Sequence, residues 1–211
     1  MDGKRIDLIF DTLNQMYPDA HCELNFNSDF ELLIAVILSA QCTDKRVNIV
    51  SKELFKKYNT PFDFAKMNAE ELEPLIRSCG FYRMKAKSII SASQDIITKY
   101  GGKVPNTMET LLTLRGVGRK TANVVLSVAF DKPAMAVDTH VLRTAVRLGL
   151  SDKTTPEGVE WELLSKLPED KLNSAHHLLI FLGRYCCHSR NPDCGNCKLS
   201  EYCEYYIKRK N

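Results

Sequence analysis

The sequence predicts an all-α chain folded as two helical domains, and three observations predict it. Apolar residues recur at helical spacing through most of the chain, while the alternation that marks strands is nearly absent. The periodic segments run for about 8–16 residues and are separated by short polar or Gly/Pro breaks. Five of the eight cysteines, Cys186, Cys187, Cys194, Cys197 and Cys203, crowd towards the C-terminus, which suits a metal-bound loop better than a disulfide scaffold. With 211 residues, 44% of them hydrophobic, the chain is long enough to bury one core or two small ones.

The elements follow in order. Phe30 to Gln41 is apolar nearly all round and belongs in the middle of a bundle. Lys45 to Tyr58 is amphipathic and ends near Pro61. Asn68, followed by Glu70 and Glu71, reads as an N-cap with acids in the first turn, and its helix should stop near Gly80. Residues 84–100 form a helix closed by Gly101-Gly102. Pro105 precedes Asn106-x-x-Glu109, a capping box for the helix Thr107–Leu114. After the tight turn Arg115-Gly116-Val117-Gly118 comes a second buried helix, Lys120 to Phe130, broken by Pro133. Further helices are expected at 138–148, 156–166 and 173–185, and the cysteine-rich tail is expected to be irregular. The domains are then 22–132, a central helical domain with a helical hairpin at 107–130, and 1–21 plus 133–211, a helical domain carrying the cysteine loop 187–203.

Composition excludes some classes of function. The longest apolar stretch, Leu32 to Leu38, is too short to span a bilayer. The first residues carry acids and lack the basic-then-apolar pattern of a signal peptide. A monomer in the cytoplasm, associated with the nucleoid in a bacterium, is expected. The net charge is only +3, but it is unevenly spread. Residues 83–103 carry Arg83, Lys85, Lys87, Lys99 and Lys103 against Asp95. Residues 115–147 carry six basic residues against Asp131 and Asp138. Two such segments can share a phosphate-facing surface or can be ordinary solvated helix faces.

The cysteine spacing is Cys187-x6-Cys194-x2-Cys197-x5-Cys203. Structural zinc typically takes two close pairs, and only one is present. The spacing favours a [4Fe–4S] cluster, one thiolate to each corner, ahead of zinc, with a disulfide third. Cys186 is set aside as structural, because neighbouring side chains in an extended segment point apart. Cys22, Cys42 and Cys79 read as small buried hydrophobes.

In Leu114-Arg115-Gly116-Val117-Gly118-Arg119-Lys120-Thr121-Ala122 two glycines permit positive φ and leave backbone N–H groups uncovered at a helix start. An anion is favoured there, and a phosphate fits without any base contact. Val117 is expected to pack inward. This segment resembles the helix–hairpin–helix of the endonuclease III family of DNA glycosylases. Val137-Asp138-Thr139-His140-Val141 is similar to that family's catalytic-aspartate segment, and Leu38-Ser39-Ala40-Gln41-Cys42-Thr43-Asp44 to its early helix–loop segment. The cysteine spacing matches its iron–sulfur loop. These four ordered motifs span residues 38 to 203.

The resemblance implies a bifunctional glycosylase and abasic-site lyase of base excision repair. Such an enzyme excises oxidised pyrimidines from double-stranded DNA and carries a [4Fe–4S] cluster on Cys187, Cys194, Cys197 and Cys203. Lys120 matches the nucleophilic lysine; Arg119, a helix N-terminus and partial burial would favour its free amine. Asp138 matches the catalytic aspartate and is expected to cap the helix that follows. Gln41 sits where the family fills the hole left by a flipped base, and Phe81 where it uses an apolar wedge, though core packing would equally suit a phenylalanine. Gly116, Val117, Gly118 and Arg119 form the phosphate-binding hairpin, with His140 a further phosphate neighbour or a structural hydrogen-bonder. Two departures concern rigidity and substrate preference. Arg115 stands where proline is common, and Leu112 where some relatives carry an acid. The alternatives are a monofunctional adenine- or thymine-mismatch glycosylase on the same scaffold and a non-catalytic helix–hairpin–helix DNA-binding protein. The presence of both Lys120 and Asp138 disfavours the second.

Overall fold

A computed structural model of the chain describes residues 3–210, and among these it shows helices and no strand. The α-helices are α1 (Gly3–Met16), α2 (Asp29–Ser39), α3 (Asp44–Phe55), α4 (Pro61–Ala65), α5 (Ala69–Ile76) and α6 (Tyr82–Tyr100). They continue with α7 (Met108–Leu112), α8 (Arg119–Phe130), α9 (Thr139–Leu148), α10 (Pro156–Lys166), α11 (Glu169–Tyr185) and α12 (Glu204–Lys210). Short 3-10 turns cover Arg77–Cys79 and Ser200–Tyr202. The chain divides into two compact units. Glu23–Lys132 forms one, and the chain up to Cys22 and from Pro133 onward forms the other.

Within Glu23–Lys132, α2 is the central element. Ser28 caps it by accepting from the Glu31 N–H, and every residue from Phe30 to Leu38 is buried. Helices α3, α6 and α8 pack around it. Phe64 of α4 is fully buried, with its ring centroid 5.7 Å from Phe30. Asn68 and Glu71 form a reciprocal capping box at α5. That helix stops at Ile76, earlier than expected, and the 3-10 turn carries the chain to Gly80.

Two expectations in this unit need correction. The cap of α7 is Thr107, not Asn106. The Thr107 side chain accepts from the Thr110 N–H, and the helix is only Met108–Leu112. The Asn106 carbonyl instead accepts from Lys132 Nζ, tying the hairpin's entrance to its exit. The helix expected to end near Pro61 is α3, which stops at Phe55, and Pro61 opens the next helix. Thr60 and Asp63 make a capping box around it at α4.

The other unit is built on α9 and α11, with α1, α10 and α12 packed against them. Ile6, Ile9, Phe10 and Leu13 of α1 enter the same apolar cluster as Val141, Ala145 and Leu148 of α9 and Leu178, Leu179 and Leu182 of α11. The tail is not irregular to its end, since α12 closes it. Gly149 ends α9 at φ +78, which glycine adopts readily, and a Cβ there would displace the Glu204 side chain of α12, 2.2 Å away. Arg5 holds the same crossing, pairing with Glu204 at 3.5 Å and donating to the Tyr202 carbonyl at 2.6 Å.

Candidate active site and cysteine loop

In the hairpin unit, α7 and α8 pack together across the turn 113–118. Only one of the two glycines needs its conformational freedom. Gly116 has φ +83, and a Cβ there would lie 2.6 Å from the Ser88 Cβ of α6. Gly118 is extended, at φ −94 and ψ 177, with open space where its Cβ would be. Val117 is buried, as expected, and its N–H donates to the Leu114 carbonyl at 3.1 Å. The donors that the turn offers outward are therefore the first N–H groups of α8, which Gly118 leaves without a side-chain cap.

Lys120 stands in the first turn of α8 and is exposed, not partly buried. Arg119 beside it is half-buried, and Arg115 and Leu112 are exposed. Lys85, counted above with the basic surface, is buried and does not belong to it. Gln41 and Phe81 are exposed, and both have left-handed backbone, at φ 52 and φ 47. At 62% exposure, Phe81 is not a core residue. Side chains other than glycine adopt this region at a cost and persist there when surrounding structure imposes it.

In the second unit, Asp138 caps α9. Its Oδ1 accepts from the N–H groups of His140 and Val141, each at 2.8 Å. The second carboxylate oxygen makes no hydrogen bond among the described residues. His140 is half-buried, and its Nδ1 lies 3.2 Å from the Arg143 guanidinium. Arg143 also donates to the Gly183 carbonyl at 2.9 Å and to the Cys187 carbonyl at 3.0 Å, so it joins the His140 segment to the cysteine loop. One turn on, Arg147 donates to the His188 carbonyl at 2.7 Å, to the Ser189 carbonyl at 3.0 Å and to Cys187 Sγ at 3.3 Å. Tyr205 stacks on its guanidinium at 4.6 Å. Sequence reasoning missed both arginines. Their i, i+4 spacing on one helix was the available signal, but nothing local says that the cysteine loop folds back onto that face.

Cys187, Cys194, Cys197 and Cys203 all line one partly open pocket. Cys186 lines it too, which corrects the expectation that it turns away from Cys187. The segment is not extended there, because Cys186 closes α11 and the Cys186 and Cys187 N–H groups both donate to the Leu182 carbonyl. Burial lifts the thiols of Cys194 and Cys203 above the ordinary cysteine range. It pushes Cys186 up to about 12, with help from neighbouring Cys197. Among the described residues no three His, Cys, Asp or Glu side chains converge as they would on a single ion. The thiols instead line a common space, a donor set that a thiolate-ligated group could use. A guanidinium aimed at Cys187 Sγ suits an anionic, thiolate-ligated group.

The profile of the HhH-GPD superfamily, base excision DNA repair proteins, matches residues 34–169. Endonuclease III of Rickettsia conorii is 47% identical to the chain over 210 residues, covering 100% of both sequences. The chain belongs to the endonuclease III family. Endonuclease III of Bacillus subtilis is 49% identical over 207 residues, covering 98% of the chain and 94% of that protein. Among solved structures, a trapped endonuclease III–DNA covalent intermediate in an estranged-adenine complex superposes with a TM-score of 0.94. It shares 48% identity and covers 100% of both chains. Family membership agrees with the all-α fold and with the resemblance read from the sequence.

Proposed function

We propose that this chain is a bifunctional DNA glycosylase and abasic-site lyase of base excision repair, acting on oxidised pyrimidines in double-stranded DNA. The observation that carries the reading is the exposed Lys120, on the first turn of a helix whose leading N–H groups have no side-chain cap. It stands in a chain alike over its whole length to an endonuclease III trapped covalently on DNA.

In this reading the hairpin takes a DNA phosphate on the first N–H groups of α8. Gly116 sets the turn, Val117 anchors it, Gly118 leaves room for close approach and Arg119 adds charge. Gln41 and Phe81 enter the stack where the damaged nucleotide leaves it, and His140 neighbours a phosphate. Lys120 Nζ attacks C1′, and the glycosidic bond breaks with its electron pair leaving on the base. The nitrogen gives up one proton, O4′ takes up a proton as the sugar ring opens, and a protonated imine is left at C1′. That imine acidifies C2′, whose proton leaves as the C3′–O bond breaks; water then frees Lys120. Because Lys120 is exposed in the free protein, the bound DNA itself must exclude water from the amine. Asp138 keeps one oxygen fixed by its two cap bonds, and the other opposes positive charge developing on the sugar and carries protons.

The cysteine loop would hold a [4Fe–4S] cluster through Cys187, Cys194, Cys197 and Cys203. Such a group supplies cross-linking of the loop and, where its potential allows, one-electron chemistry. The thiols must lose their protons to bind it, which the burial noted above resists until iron is present. No helix among the described residues is long and apolar enough to cross a membrane, and we place the protein with the chromosome, in the cytoplasm.

The test is incision of a duplex carrying one thymine glycol, resolved on a denaturing gel. Strand breakage without added alkali, leaving an unsaturated aldehyde at the 3′ end, is expected. Base release with an intact, alkali-labile strand would overturn the lyase half and leave a monofunctional glycosylase.

A further inference from the structure

The reaction above makes no use of Cys42, Cys79 or Lys85, which form a cluster inside the Glu23–Lys132 unit. Cys79 ends the 3-10 turn Arg77–Cys79 and is 1% exposed, whereas Cys42 is partly exposed beside the start of α3. The turn packs against α3, which brings the Cys79 side chain beside that of Cys42. Lys85 is 5% exposed, and its Nζ donates to the carbonyls of Leu38 and Cys79, each at 2.8 Å. Two neutral carbonyls are thin compensation for a buried ammonium, and burial holds Lys85 below the ordinary lysine range. Burial, then Cys42, pushes the Cys79 thiol up to about 11. Of the two sulfurs, that of Cys42 is the one a solute reaches. It lies near the Lys85 side chain and two residues before the start of α3.

The placement of the pair gives it a consequence. Cys42 directly follows Gln41, and Cys79 precedes Gly80 and Phe81. All three of those flanking residues have left-handed backbone, at φ 52, φ 69 and φ 47. The two thiols stand at the roots of the two loops that present Gln41 and Phe81.

We infer that Cys42 and Cys79 are a peroxide-responsive thiol pair, whose disulfide ties the Gln41 and Phe81 loops together and weakens binding to DNA. The DNA half of this inference rests on the function proposed above. Cys42, as thiolate, attacks one oxygen of a peroxide, the O–O bond breaks, and hydroxide or alkoxide leaves. The Cys79 sulfur then attacks the resulting sulfenic acid, and its proton departs with the hydroxyl as water. The peroxide takes two electrons, and two thiols become one disulfide. Neighbouring thiols must close to about 2 Å to form the S–S bond. Both loop roots are drawn inward by that closure.

The full-length protein, with its cysteine loop loaded, is treated with hydrogen peroxide, alkylated, digested without reductant and mapped by mass spectrometry. In parallel, fluorescence anisotropy follows binding to a duplex with an abasic-site analogue. A peptide linked through Cys42 and Cys79 is expected, with affinity lowered about tenfold, the scale of ordinary coupling between sites, and restored by dithiothreitol. Neither change is expected in Cys42→Ser or Cys79→Ser. Absence of the linked peptide overturns the pair, as does an equal loss of affinity in both variants, which would locate the damage elsewhere. A linked peptide with unchanged affinity overturns the regulatory half. A linked peptide in a protein that fails to bind the duplex even when reduced supports the pair and overturns the function it would regulate.

Discussion

Asp138 holds the start of α9 through Oδ1, and a carboxamide makes those two cap bonds as well as a carboxylate does. A charge opposing a sugar cation has no such substitute. Asp138→Asn should therefore melt within a degree or so of the parent while slowing single-turnover base release by about 10²-fold or more. Asp138→Ala should lose the chemistry and also about 1 kcal/mol of stability. Equal losses of stability in the two variants would remove the distinction. The hairpin glycines separate in a similar way. Gly116→Ala meets both a positive φ and Ser88, so about 1–3 kcal/mol of stability should be lost in denaturant titration. Gly118→Ala meets open space and ordinary backbone. It should fold normally yet bind duplex DNA roughly threefold to tenfold more weakly, because the methyl stands where a phosphate would approach the N–H groups.

At the scale of elements, the legible helices were those whose signal is local. The cap at Asn68, the all-round burial of α2 and the Asp138 cap could be read from side chains a few residues apart. Helices α1, α4 and α12 were not anticipated, each for its own reason. Ile6, Ile9, Phe10 and Leu13 carry a helical stripe, but Asp7 and Asp11 interrupt its apolar run. At α4, Thr60-Pro61-Phe62-Asp63 is a capping box whose proline reads equally well as a stop. Seven-residue α12 has no periodicity to read and is held by long-range contacts to Arg5 and Arg147. The cysteine loop depends on the same arginine contacts. Cys203→Ser should bleach the visible absorbance expected of the cluster and lower the melting temperature and DNA affinity, while the remaining folded protein still forms the imine. Full DNA binding by a bleached variant would contradict a structural role for the loop. The helix α11 carries its own pH dependence. Burial, then His21, depresses the His177 ring from 6.5 to about 4. The unfolded chain takes up that proton first, so the contribution is complete above pH 6.5 and is lost as pH falls towards 4. His177→Leu should flatten the decline in melting temperature over that window.

For the molecule as a whole, the fold class and family were legible because four motifs stand in order along one chain, at Gln41, Lys120, Asp138 and the cysteines. What was not legible is what distant residues do to one another. Arg143 and Arg147 meet the cysteine loop some forty residues further along, and Lys120 is exposed where partial burial was expected. The exposure leaves water exclusion at the amine to the bound DNA, so the chemistry should switch on with the complex and not before it.

Lys120 as nucleophile is tested by borohydride reduction of the protein mixed with a duplex bearing one thymine glycol, beside an undamaged duplex. A permanent protein–DNA cross-link is expected that requires the lesion and disappears in Lys120→Ala, a variant that should still bind the duplex. A cross-link that survives Lys120→Ala, or none at all from a protein that binds DNA and removes the base, would contradict that role.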